Sequence, residues 1–218
     1  MSHLVVFDLD GTIIPNPSSE KLFLLWLAKH GYLKMPQLWR TLLFTFKWLP
    51  HYRQEIFVKN KAYLYNLSVS HLTDVAQDFT RQKLLPKIRL ALAQKILMHR
   101  QQGDKVILLT GALQPIAQIF AEHLKFDEYY PTLCVQTNNR FTDLPPTQQP
   151  YRLTKLTITQ QICAKHHTTV DTITTYANSI HDLPLLQAVK HPITVTPDKK
   201  LHTVAKQRGW QIIEDPNH

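Results

Sequence analysis

Short apolar or β-branched runs without polar alternation recur at positions 4–7, 106–109, 173–176, 193–195 and 210–213. Runs of that length mark strands buried on both faces, as in a parallel sheet covered by helices. Segments of helical period lie at 91–100 and 115–124, on either side of the second run, and at 156–166 before the third. Strand and helix in alternation predict an α/β fold, a Rossmann-like doubly wound parallel sheet with right-handed crossovers.

Positions 13–85 interrupt that alternation. They carry helical period throughout and are rich in Leu, Phe, Trp and Tyr. The chain therefore divides into an α/β core of residues 1–14 and 86–218 and an inserted α-helical cap of residues 15–85. His30-Gly31, Pro36, Pro50 and Ser68-Val69-Ser70 mark the expected breaks between the helices of the insertion. Residues 137–150, which contain Thr-Asp-Leu-Pro-Pro-Thr, predict a loop or hairpin. There are no internal repeats and no low-complexity tail.

Composition adds limits. With 218 residues, 44% of them hydrophobic and 19% charged, the chain is sized for one α/β core and an appendage, and large-scale disorder is excluded. No basic segment leads into a signal-type apolar stretch, and Cys134 and Cys163 have no metal-ligand spacing, so the reading is a cytoplasmic protein with two reduced thiols. The nearest approach to a membrane span, residues 33–50, is interrupted by Lys34, Arg40 and Lys47, so no transmembrane segment is expected. The net charge of +9 is uneven: residues 15–85 hold ten Lys/Arg against four Asp/Glu, and three of the four Trp. Such a stretch either meets something anionic or keeps the protein in solution. Trp39, Phe44, Phe46 and Trp48 suit peripheral contact with a membrane surface or a core inside the insertion, and the reading favours the core. No groove-binding or base-stacking motif supports a nucleic-acid partner, and the twelve histidines lack zinc-site spacing.

The candidate chemistry sits at strand ends, the edge at which open α/β sheets bind ligands. Asp8-Leu9-Asp10-Gly11-Thr12 follows the first run. In an extended segment residues i and i+2 face the same side, so Asp8 and Asp10 can address one site, and two carboxylates suit an oxygen-seeking Mg²⁺ ion. A carboxylate approaching a phosphate needs that cation, because two unit charges about 4 Å apart repel by about 1 kcal/mol even in water. Thr110-Gly111 ends the second run with a hydroxyl donor. Lys155, at the start of a helix, offers a point charge for a phosphoryl group. Asn178 and Asp182, four residues apart after the third run, add two oxygen-bearing side chains.

In this order and spacing the four elements resemble the motifs of the haloacid dehalogenase superfamily, specifically subfamily IB, the relatives of phosphoserine phosphatase. The resemblance extends through the tail, from His191-Pro192-Ile193 to Arg208-Gly209-Trp210. It implies a Mg²⁺-dependent phosphomonoester hydrolase with Asp8 as nucleophile and metal ligand. Asp10 would be the acid and base, its main-chain carbonyl on the metal. Thr110, Gly111 and Lys155 would hold the phosphoryl group, with Asn178 and Asp182 at the metal. The substrate would be a small phosphorylated metabolite, or a lipid phosphate such as phosphatidylglycerophosphate.

Two positions depart from the pattern. Asn178 stands where the family usually has aspartate, so a charge on the metal is lost. Pro17 stands where subfamily relatives often carry an acidic residue, with Glu20 nearby, which puts phosphoserine specificity in question. The alternative from another class is a weakened relative that binds a phosphorylated ligand or partner without turnover.

Overall fold

The structure is a computed structural model describing residues 3–214, so residues 1–2 and 215–218 of the expected core lie outside the described residues. Six parallel strands form one sheet in the order β3-β2-β1-β6-β7-β8. They are β1 (Leu4–Phe7), β2 (Lys105–Leu113), β3 (Glu128–Thr132), β6 (Thr174–Ala177), β7 (His191–Val195) and β8 (Gln211–Ile213). The helices on its two faces include α5 (Leu90–Gln101), α6 (Gln114–Leu124), α7 (Leu153–Lys165), α8 (Leu183–Ala188) and α9 (Lys199–Arg208). One core layer holds Val5, Phe7, Leu108 and Phe120, and the other holds Leu4, Val6, Ile107 and Ile158, as strands buried on both faces require.

β1 lies at the centre because the chain goes to one side of it for β2 and β3 and to the other for β6, β7 and β8. Phe7 is opposite Leu108 and Tyr176. Asp8 is thus level with Leu109 of β2 and with Ala177 at the end of β6, and Thr110 and Asn178 are one residue further along. This is the switch point of a doubly wound sheet.

Strand β3 went unread in the sequence because Glu-Tyr-Tyr-Pro-Thr lacks the uninterrupted apolar run that marks the other five strands. It is an edge strand, where proline costs no ladder bond on the solvent side. Gln136–Thr137 (β4) and Arg140–Phe141 (β5) form the hairpin expected in the 137–150 region, with Asn138 and Asn139 at φ 49 and 57 in its turn. It is tied to the insertion by bonds from Asn66 N–H to Phe141 O and from Val69 N–H to Asn139 O, both 2.9 Å.

The insertion comprises α1 (Ser19–Lys29), α2 (Met35–Tyr52), α3 (Ile56–Lys59) and α4 (Val69–Phe79), with single turns between and after them. Gly31 at φ +74 follows α1, Pro36 opens α2 and the Ser68 hydroxyl caps α4, as the breaker residues predict. The expected break at Pro50 does not occur. α2 continues to Tyr52 with the proline in its last turn, where little helix remains to lose, and the chain turns instead at Arg53, φ 46.

Phe23, Leu27, Leu72 and Phe79 of α1 and α4 join the same apolar cluster as Val5 and Phe7. By contrast, α2 and α3 contribute only Phe44 and Ile56 to a small cluster with Ala62, flanked by Trp48 and Tyr52. The expectation that the aromatic residues of the insertion fill its core holds for Phe44 and fails for Trp39 and Phe46, which are 58% and 70% exposed. Both cysteines are free, and burial pushes their thiols up to about 12 for Cys134 and about 11 for Cys163.

The layer beneath the switch point is pinned by a polar chain. Tyr176 stacks on Phe7 at 4.3 Å, its hydroxyl donates to His99 Nε2 at 2.9 Å, and His99 Nδ1–H donates to Asp104 at 2.7 Å. Burial, with Asp104 nearby, pushes the phenol up to about 12, so it stays a donor. Tyr176→Phe should leave the buried imidazole short of one partner and cost about 1–2 kcal/mol in urea denaturation. An unchanged midpoint would show that the chain contributes nothing to stability.

Candidate active site

The turn after β1 is built round one carbonyl. Leu9 O accepts from the N–H groups of Thr12, Ile13 and Ile14 at 3.2, 2.9 and 3.1 Å, and Gly11 takes φ +82 to let the chain close. A Cβ at Gly11 would lie 2.0 Å from Asn178 Nδ2. Glycine is therefore required twice over, by its backbone angle and by the close approach of the loop after β6.

That approach brings separate segments onto Asp8. Lys155 Nζ, in the first turn of α7, donates to Asp8 Oδ1 at 2.7 Å and contacts Asp182 Oδ1 at 2.7 Å. The Thr12 hydroxyl lies 3.2 Å from Asp8 Oδ2 and 3.4 Å from Asn178 Oδ1. Asp8, Lys155, Asn178 and Asp182 are all buried. Four of the residues singled out in the sequence thus share one site, with Thr12 as an addition. Its position directly after the motif glycine was the available signal.

The remaining candidates are less closely joined. Thr110 is fully buried at the same sheet edge, but its Oγ accepts from Ala112 N–H at 3.0 Å instead of meeting Asp8 or Lys155. Gly111 presents its carbonyl to the Thr132 hydroxyl at 2.7 Å. Asp10 turns towards α1, where its carboxylate accepts from Ser19 N–H at 2.7 Å and Ser19 O–H at 3.0 Å.

Two further features adjoin these residues. Glu20, adjacent to that serine, is clasped by Lys61 Nζ at 2.6 and 2.5 Å and by the Tyr63 hydroxyl at 2.6 Å. Lys61 is only 2% exposed, and its spacing from Glu20 in sequence gave no hint of the pairing. Asp198 caps α9 through Lys200 N–H and Leu201 N–H, both 3.0 Å, and also accepts from Ile180 N–H at 2.6 Å. Its own N–H donates to Asn178 O at 2.9 Å. It therefore staples the Asn178 loop, and the N-cap pattern ahead of a basic helix was the sequence signal for it.

The electrostatics follow from two buried carboxylates sharing one ammonium. Burial is the largest influence on Asp8. Lys155 opposes it and Asp182 reinforces it, and the carboxyl is pushed up to about 7. Burial alone would lower Lys155, but Asp182 and Asp8 outweigh it and hold the ammonium well charged. Asp10 is also raised, by burial, against the Ser19 bonds. One negative charge at the Asp8–Asp182 pair is left without a counterpart, which is the deficit a divalent cation would fill.

The donors are all oxygen: Asp8, Asp182 and the amide of Asn178, with the main-chain carbonyl of Asp10 close by in sequence. That chemistry fits Mg²⁺. Among the described residues no three His, Cys, Asp or Glu side chains gather as a metal group, so an ion here would depend on the asparagine oxygen. A cleft of about 220 Å³ lined by Leu72, Leu113 and Phe141 among others contains none of these side chains.

Comparison with known proteins agrees with this fold. Residues 5–187 match the family model of haloacid dehalogenase-like hydrolases. A histidinol-phosphatase of Neisseria meningitidis serogroup C is 24% identical over 226 residues, covering 98% of this chain and 99% of that protein. A Mycobacterium tuberculosis protein named phosphoserine phosphatase is 23% identical over 154 residues, and the match spans 50% of its length. A Bordetella pertussis protein of unknown function has the same fold with TM-score 0.81 at 23% identity, over 98% of this chain and 99% of that one. A substrate-bound phosphoserine phosphatase superposes with TM-score 0.65 at 13% identity, over 99% of this chain and 94% of that one. The family match spans all four motifs, on the sheet that carries them, and the chain belongs to the haloacid dehalogenase-like hydrolase family.

Proposed function

We propose that this protein is a Mg²⁺-dependent phosphomonoester hydrolase that works through an aspartyl-phosphate on Asp8. The observation that supports it most is the shared contact of Asp8 and Asp182 with Lys155, beside Asn178, at the switch point of the sheet. The metal, when bound, neutralises phosphate charge so that a carboxylate can approach it.

The residues of the chain do the rest. Asp8 forms a bond to phosphorus as the ester P–O bond breaks, and Asp10, whose proton affinity burial raises, protonates the departing oxygen. Asp10 then takes a proton from the water that attacks phosphorus, freeing inorganic phosphate and Asp8. Lys155 and the hydroxyl of Thr110 hold phosphoryl oxygens, and the backbone at Gly111 adds to that hold. Because Asp8 and Lys155 are buried, the insertion of residues 15–85 acts as a cap that opens for substrate and closes against water. In this reading Glu20, clasped by Lys61 and Tyr63 and adjacent to the serine that holds Asp10, helps select the leaving group.

The relatives named for histidinol phosphate and phosphoserine point to small phosphorylated metabolites as the substrate class. Asn178 supports a second reading, in which the site binds a phosphorylated ligand with little or no turnover. A phosphomonoester panel including both named compounds, with and without Mg²⁺, separates the two. Wild type should release phosphate only with the metal, Asp8→Asn should fall to background, and Asn178→Asp should bind Mg²⁺ about 10–100-fold more tightly. Equal release by wild type and Asp8→Asn would contradict the mechanism, whereas turnover seen only in Asn178→Asp would favour the binding reading.

Asp198 offers a second test. Its carboxyl is shifted down: burial opposes the shift, while backbone donors at Leu201 and Ile180 prevail. A depressed carboxyl stabilises the fold above its unfolded pKa, and that contribution is lost as pH falls through the lower folded value. Asp198→Ala should cost about 1 kcal/mol at neutral pH and lower kcat/KM by about 10–100-fold, because the Asn178 loop is released. Urea denaturation beside kinetics checks both. A loss of stability with unchanged kcat/KM would show that the staple does not position the loop.

A further inference from the structure

Helix α2 carries its polarity reversed. Met35, Leu38, Trp39, Leu42, Phe46 and Leu49 follow helical spacing on one face, and they are 67%, 53%, 58%, 45%, 70% and 46% exposed. Leu43, 51% exposed, borders the same face. The inward face is the more polar one. Gln37 donates to Tyr65 O at 2.9 Å, and Asn60 reaches Thr41 O and the Thr45 hydroxyl at 2.9 and 3.0 Å. Phe44 is the buried α2 side chain of the small core beneath it, with Trp48 and Tyr52 partly buried against it. The orientation is thus fixed by satisfied hydrogen bonds, so the helix cannot roll its apolar face inward without stripping them. A continuous apolar face of this size on a helix surface calls for a partner.

The charge around it says which partner. Between Glu20 and Glu55 there is no acidic residue, while Lys21, Lys29, Lys34, Arg40, Lys47 and Arg53 fall in that interval. Arg40 is committed to Asp143 at 2.9 Å and lies over the Tyr65 ring. Lys34 at the start of α2, Lys47 on it and Arg53 just after it are exposed. A second copy seated face to face would bring two such basic rims together, which costs binding energy. An anionic surface complements them. No helix among the described residues is long and apolar enough to cross a membrane, so the fitting geometry is a helix lying in the interface plane, rings inserted and lysines at the headgroups.

We infer that α2 is a docking helix that seats the protein peripherally on membranes containing anionic lipid. The seat is on the insertion, so docking holds the element that controls access to Asp8 against the bilayer. It requires no lipid to be hydrolysed.

The test uses the full chain and vesicles of phosphatidylcholine, alone or mixed with phosphatidylglycerol. Wild type should co-sediment with the mixed vesicles at low ionic strength, and high salt should weaken that binding. Tryptophan emission should shift to shorter wavelength on binding. A Trp39→Glu/Phe46→Glu double variant replaces two exposed side chains, so its thermal unfolding should match wild type while vesicle affinity falls at least about tenfold. Lys34→Glu/Lys47→Glu should lose the preference for phosphatidylglycerol. Absence of wild-type binding to mixed vesicles at low salt would overturn the inference, as would equal binding by the Trp39/Phe46 variant. A dimer in sedimentation velocity that the same variant disperses, without vesicle binding, would reassign the face to a second copy.

Discussion

Two aspartates and one lysine buried together are the constraint from which the rest of the site follows. Asp8 and Asp182 share the Lys155 ammonium in a space nearly closed to water, so one carboxylate charge goes uncompensated and Asp8 is pushed up to about 7. An arrangement of that kind is costly to keep for stability alone, since removing charge from water is repaid only by complete pairing. A divalent cation would supply the positive charge that the Lys155 ammonium alone does not. The sheet order places Asp8 between β2 and β6, Gly11 allows the loops to touch, and Asp198 and the Tyr176–His99 chain hold the ground beneath.

The sheet was legible because strands buried on both faces write themselves as uninterrupted apolar runs. Five of six were visible that way, whereas β3 was hidden because an edge strand accepts Glu and Pro. The site was legible as far as it depends on strand ends. Asp8, Lys155, Asn178 and Asp182 meet, while Asp10 faces Ser19 and Thr110 bonds to its own strand. Local motif spacing carries no information on rotamers, and none on pairs such as Glu20 and Lys61 whose contact depends on the tertiary fold.

The insertion was harder to read for a related reason. Helical period announces an amphipathic helix without saying which face is covered. In α1 and α4 the apolar face joins the core of the sheet, and in α2 it points outward because Gln37, Thr41 and Thr45 are bonded on the inside. Pro50 likewise reads as a break in sequence, yet it is tolerated in the final turn. The same chain segment thus contributes helices to the core of the sheet and an outward apolar surface on α2.

The claim that Asp8 is the attacking group is tested most directly by trapping it. Protein mixed with Mg²⁺ and a turned-over phosphomonoester, quenched in acid during turnover and mapped by peptide mass spectrometry, should carry one phosphoryl group on the peptide containing Asp8, absent in Asp8→Asn. Phosphate release from wild type with that peptide unmodified throughout turnover, or the same modification persisting in Asp8→Asn, would contradict the account.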